Sequence, residues 1–252
     1  MKFIILGCGS SMGVPRPDGF FGNCNPKEPK NYRSRCSALI KSKKNNILID
    51  TSPDLRKQLL KNKVKTIDKV FYTHNHADQT HGINDLRVFS LKKKKKIPVF
   101  ANKLTTQYLT NSFSYCFKDH KDYPATLKLQ RIRKKIKFGK FLSIKSIPVC
   151  HGSINSLSFI INNKIAYLPD ANRIFKRNFK EFNNISFMII DCLRFKKHPS
   201  HFNLEDVLKI NSLLKPKKMI LTNLHSDLDY NQLMNILPKN IKPAYDGLSI
   251  NF

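Results

Sequence analysis

The chain has 252 residues, 40% hydrophobic and 25% charged, a balance that excludes wholesale disorder and allows a sizeable buried core. No run approaches the roughly 20 consecutive apolar residues of a membrane span, and no membrane partner is expected. Lys and Arg exceed Asp and Glu by 46 − 17, a net charge of +29. That excess attracts phosphates or nucleic acid, but the abundance of Lys, Asn and Ile is also what drift in coding composition leaves behind.

In chain order, residues 3–6 form an apolar run stopped by Gly7 and Gly9 and predict a buried strand. The run is shorter than the roughly 7–15 apolar residues of a secretory signal, which predicts a cytoplasmic chain. The six cysteines (Cys8, Cys24, Cys36, Cys116, Cys150 and Cys192) lie far apart with no Cys-x-x-Cys, which predicts reduced thiols. Residues 10–31, rich in Gly, Pro and Asn, match neither period and predict a long loop. Residues 36–41 and 46–50 predict a hairpin around 42–45. Ser52-Pro53-Asp54 then opens a helix to about Asn62, with Ser52 as N-cap.

Residues 69–73 predict a strand that feeds a histidine cluster. A helix over 83–91, a strand over 97–100 and a helix over 103–113 follow, whereas 119–140 is polar, basic and without a clear period. Strands are predicted at 141–148, 157–161, 165–168, 187–191 and 219–222, and near 248–252. Helices are predicted at 174–182, 204–214 and 230–237, with Asn203 and Asp206 capping the second. Hairpins first, then strands alternating with helices, in two similar halves, predict an α+β chain. The expected architecture is two sheets face to face with helices outside, a four-layer αββα sandwich forming one domain over 1–252.

The chemistry concentrates in Thr73-His74-Asn75-His76-Ala77-Asp78-Gln79-Thr80-His81-Gly82. His74 and His76 follow a strand two residues apart, so in extended backbone their imidazoles share a face and suit one metal ion. Asp78 can reach a neighbouring ion from the turn into the next helix. A polar surface turn accounts for one such histidine, but poorly for three with an aspartate in eight residues. Further ligands must come from elsewhere, and four strand ends offer them: Cys150-His151-Gly152, Pro169-Asp170, His198-Pro199-Ser200-His201 and Asn223-Leu224-His225. If those strands share sheet edges, the polar residues gather on one rim.

This ordered set resembles the metallo-β-lactamase-fold hydrolases, whose hallmark is His-x-His-x-Asp-His followed by a distant His, Asp and His. Gly7-Cys8-Gly9-Ser10-Ser11-Met12-Gly13-Val14-Pro15, Ile47-Leu48-Ile49-Asp50-Thr51-Ser52-Pro53-Asp54, His198-Pro199-Ser200-His201-Phe202 and Ala244-Tyr245-Asp246-Gly247 are similar to the branch containing phosphoribosyl 1,2-cyclic phosphate phosphodiesterase. Ribonuclease Z is a more distant relative. The resemblance implies a metallo-β-lactamase-like fold and a phosphodiester, such as phosphoribosyl 1,2-cyclic phosphate, cleaved by a metal-activated hydroxide. It implies His74, His76 and His151 on a first metal, Asp170 bridging, Asp78 and His225 on a second, and His201 as proton donor to the leaving group.

Gln79 stands where the family motif ends in His, and a carboxamide is a far weaker ligand. The expected cofactor is therefore zinc or manganese, as one tight ion with a weaker second, and His81 is a candidate substitute ligand. With only Cys24 in the early loop, no structural zinc is expected there. Lys92–Lys96 reads as a solvated loop. The partner expected is a small phosphodiester, with non-specific nucleic acid and a homodimer left open. Two competing readings are a ribonuclease Z-like RNA-processing endonuclease and a metal-depleted relative that binds nucleic acid.

Overall fold

The computed structural model describes residues 1–252, which form two compact units: 1–7, 35–132 and 247–252 in the first, 8–34 and 133–246 in the second. The chain starts in the first unit with β1 (Lys2–Gly7), β2 (Ser37–Lys41) and β3 (Asn46–Ile49), joined antiparallel. Helix α1 (Leu55–Lys61) leads to β4 (Lys69–Phe71). Helix α2 (Ala77–Thr80), a 3-10 turn (Ile83–Leu86) and α3 (Arg87–Lys93) lead to β5 (Ile97–Ala101). Helices α4 (Lys103–Ser112) and α5 (Ser114–Phe117) lead to β6 (Leu127–Arg131), and β3 to β6 pair in parallel.

The second unit repeats the plan. Strands β7 (Lys135–Phe138), β8 (Leu142–His151), β9 (Ile154–Ile161) and β10 (Ile165–Leu168) pair antiparallel in sequence. A 3-10 segment (Lys176–Phe182), then β11 (Phe187–Asp191), α6 (Leu204–Leu214), β12 (Lys218–Thr222), α7 (Tyr230–Ile236) and β13 (Ile241–Pro243) follow, with β10 to β13 parallel. The chain then returns to the first unit, where β14 (Ser249–Asn251) pairs antiparallel with β1. Each unit thus holds one seven-stranded mixed sheet.

Parallel strands covered on both faces read as unbroken apolar runs; Ile47, Leu48 and Ile49 in one unit and Met188, Ile189 and Ile190 in the other are fully buried. Helix α6 buries Leu204, Val207, Ile210 and Leu214, one stripe at helical spacing, and begins with a complete Asn203/Asp206 capping box. All six cysteines are buried and free, and no helix is long and apolar enough to cross a membrane.

Five local expectations are corrected. Helix α1 starts at Leu55 with Asp54 in the N-cap position, because Ser52 Oγ accepts from Asp54 N–H in the turn before the helix. The predicted 83–91 helix is a 3-10 turn running into α3, and the predicted 174–182 helix is a 3-10 segment over Lys176–Phe182 only. Residues 119–140 contain β6 and β7, which lie at the edges of their sheets, where outward positions carry Lys and Arg and blur the apolar alternation. Strand β13 was not expected, since its three residues are too short to show a period.

Strand direction decides where chemistry gathers. Both β8 and β10 run antiparallel to β9, so they point the same way, and β11 and β12 are parallel to β10. The C-terminal ends of all four therefore share one edge of the second sheet. That edge carries His151, Asp170, Asp191 and Asn223. In the first sheet the parallel strands β3 and β4 likewise end together, at Asp50 and at Thr73-His74.

Candidate metal and proton-transfer site

In the first unit Asp50 is fully buried just after β3, and both its oxygens are used by one residue. Thr73 N–H donates to Oδ1 at 2.8 Å and the Thr73 hydroxyl donates to Oδ2 at 2.9 Å. Burial pushes the Asp50 carboxyl well above its ordinary value, against the pull of these two bonds. The hydroxyl has one proton to give, so it accepts from His74 Nδ1, 3.0 Å away. A proton on Nδ1 leaves Nε2 of the buried His74 with its lone pair. The His76 ring, exposed, lies edge-on to that of His74 with centroids 4.5 Å apart.

Asp78 is half-buried at the start of α2 and accepts at Oδ2 from Gln79 Nε2 at 3.2 Å. His81 turns to α4: its Nε2 lies 3.0 Å from the Tyr108 hydroxyl and its ring stands edge-on to Phe113. Gly82 allows this turn, because a Cβ there would overlap the Ser52 carbonyl oxygen.

In the second unit His151 Nδ1 lies 2.7 Å from the Ser200 carbonyl oxygen. A carbonyl can only accept, so Nδ1 carries the proton and Nε2 keeps the lone pair. Gly152, at φ +61°, makes the approach possible, since a Cβ there would come within 2.9 Å of Ser200 Cβ. One ligand atom each from His151, Asp170 and His201 falls within 4.8 Å of the others.

His201 is oriented by Asp191, whose Oδ2 lies 2.7 Å from His201 Nδ1. Burial raises the Asp191 carboxyl, and the charge of His201 together with its bond opposes the rise. Asp191 also accepts from Ala171 N–H at 2.9 Å and from Asn223 Nδ2 at 3.2 Å. The same Asn223 nitrogen reaches Asp170 Oδ1 at 3.2 Å. His198 faces differently: its Nδ1 accepts from Ser200 N–H at 3.3 Å and its ring is tilted 50° to that of His201. Burial, then the neighbouring charges of His201, Arg194 and His225, lowers its basicity.

His225 carries its Nδ1 to Asp227 Oδ1 at 3.2 Å, and the residue bonded to Asp170 from that strand end is Asn223. Sequence reasoning passed over Asn223 in favour of the better ligand type two residues on. It also passed over Asp191, whose only signal was a carboxylate closing the apolar run of β11. The motif Ala244-Tyr245-Asp246-Gly247 is explained by a buried tie: Asp246 accepts from Cys8 N–H at 3.1 Å and Ser34 N–H at 2.8 Å, pinning the Gly-rich opening loop.

A family model described as a β-lactamase superfamily domain matches residues 45–223, and the chain belongs to that family. Its fold is the metallo-β-lactamase fold, of class α+β, with two mixed sheets and their flanking helices. Among solved structures, the chain is similar over its full length to 97% of a diphosphatase from the PhnP family, at 29% identity and a TM-score of 0.89. It is similar in fold to the short form of human tRNase Z, at 17% identity and a TM-score of 0.71, covering 100% of this chain and 99% of that one. A curated octanoyltransferase from Porphyromonas gingivalis is 30% identical over 98% of the chain. The chain spans about half, 51%, of the length of that relative.

Proposed function

We propose that the chain is a metal-dependent phosphodiesterase acting on a small cyclic phosphate, such as phosphoribosyl 1,2-cyclic phosphate. The observation that carries this reading is the meeting of His151 and Asp170, as donors for a cation, with His201 beside them and held by Asp191. The donor chemistry fits a divalent cation of the zinc or manganese kind. His74 and His151 each have Nδ1 engaged and Nε2 as the lone-pair nitrogen, and a carboxylate stands beside one of them. His74, His76 and His151 are assigned as ligands with Asp170, on the family motif; Asp78 is the further carboxylate that motif supplies. A bound cation supplies positive charge that acidifies water toward a pKa of about 7 and neutralises phosphoryl oxygens.

The remaining chemistry belongs to the chain. Asp191 accepts from His201 Nδ1 and stabilises the imidazolium, so that Nε2 carries the second proton. As the P–O bond to the leaving group breaks, that proton passes to the departing oxygen. Ser200, whose carbonyl accepts from His151, links the two functions through one turn of backbone. The 29% identity over the full chain to a diphosphatase from the PhnP family supports phosphate chemistry at this site.

The test is a substrate panel on the protein loaded with zinc or manganese. It should contain phosphoribosyl 1,2-cyclic phosphate, 2′,3′-cyclic and linear dinucleotides, a tRNA precursor and an octanoyl thioester. Cleavage of a small phosphodiester is expected. Preferred cleavage of the tRNA precursor would establish the nuclease reading, and turnover of the thioester alone would overturn phosphodiester chemistry.

A further inference from the structure

We infer that the His151, Asp170 and His201 group of the second unit is built for one divalent cation, with the side-chain amide of Asn223 standing where a ligand for a second would stand. The inference rests on the metal-centre reading above and specifies its stoichiometry.

In the second unit, Asn223 follows β12 in the left-handed region at φ +61°. Its amide nitrogen lies 3.2 Å from Asp170 Oδ1 and 3.2 Å from Asp191 Oδ1. Two carboxylate oxygens face this amide position and assign nitrogen to that end, outweighing the single opposing contact with the proton-bearing His201 Nδ1 at 3.1 Å. The positive end of an N–H bond therefore points at Asp170 Oδ1. An amide nitrogen donates and has no lone pair to offer a metal ion. Asn223 is 1% exposed and Asp170 2%, so water does not screen this interaction.

The first unit repeats the device. Gln79 is fully buried, and its Nε2 donates to Asp78 Oδ2 at 3.2 Å. In each unit, then, a carboxylate of the expected bridging or second-ion set receives an amide proton. His81 turns its Nε2 to Tyr108, away from Asp78 Oδ2 and its amide donor. The amides do electrostatically what a cation would do, by placing partial positive charge on the two acids, but they supply no Lewis acidity. Asn223 is in this sense a positioning residue: it holds Asp170 and Asp191 in place and lies 3.1 Å from His201 Nδ1.

The test counts ions by native mass spectrometry and elemental analysis on the whole chain, saturated with zinc and separately with manganese. The wild-type chain should hold one ion per chain. Asn223→Asp places a third carboxylate against Asp170 and Asp191, so it should hold two ions. Its melting temperature should fall in a chelator and recover with metal by more than that of the wild type. Because that variant is open to folding failure, Asn223→His provides a second route to two ions. Two equally tight ions in the wild type would overturn the inference and leave the phosphodiesterase reading standing. So would a single ion in both folded variants. No ion in the wild type at saturation would overturn the metal centre itself.

Discussion

At the scale of single residues, the two histidines of His198-Pro199-Ser200-His201 separate by their partners. His201 gives its Nδ1 to a buried carboxylate at 2.7 Å, whereas His198 accepts from Ser200 and is made less basic by burial and by the charges around it. On the proposed reading His201 is the proton donor and His198 is not. His201→Ala is expected to lower turnover of an alkyl phosphodiester by about 10²–10⁴-fold. A nitrophenyl ester, whose leaving group scarcely needs a proton, should lose much less, and His198→Ala should do comparatively little. Metal content should be unchanged in both. Loss of metal in His201→Ala would make the residue a ligand, an arrangement its nearness to His151 and Asp170 permits. Equal losses on the two esters would make it a phosphate-positioning group.

At the scale of elements, the approach to α1 is set by Arg35 and Asp54. The Arg35 guanidinium makes two bonds of 2.8 Å to the Asp54 carboxylate, and Arg35 N–H adds a third at 3.0 Å. Burial alone would raise the Asp54 carboxyl, but the bonds and charge of Arg35 outweigh it and hold the group below the ordinary range. A carboxylate with a depressed folded pKa contributes stability above its unfolded value, about 4. That contribution is lost as the pH falls through the lower, folded value. Asp54→Asn should therefore cost about 1–2 kcal/mol near neutral pH. The cost should shrink toward zero in acid, as read by urea unfolding at both pH values. A cost that does not change with pH would mean the effect is packing.

Elements also show where the sequence was legible. Strands β3, β11 and β12 are buried on both faces and stand out as apolar runs, and the Asn203/Asp206 capping box announces α6. Edge strands β6 and β7 do not stand out, because solvent-facing Lys and Arg hide the alternation. The candidate site followed the same division. His74, His76, Asp78, His151 and Asp170 could be nominated from residue type and strand-end position. The roles of Thr73, Asp191, Ser200 and Asn223 depend on which atoms meet, and nothing in the residue types of a strand end says that an asparagine two positions before a histidine will be the one to reach Asp170.

At the scale of the whole molecule, each unit has its own apolar core, one around Leu39, Leu48 and Val70 and the other around Ile190, Val207 and Leu221. The net charge of +29 is a general attraction for phosphate groups, and it falls with salt. Charge alone selects no substrate. Selection and rate rest on the sheet-edge groups, and the central claim is that they work through a bound divalent cation. The most direct measurement is phosphodiester turnover by the purified chain before chelation, after exhaustive chelation and dialysis, and after stepwise return of zinc or manganese. The account predicts that turnover disappears with the metal and returns in proportion to the ion regained, reaching its maximum at one ion per chain. Turnover that survives complete removal of metal would contradict it.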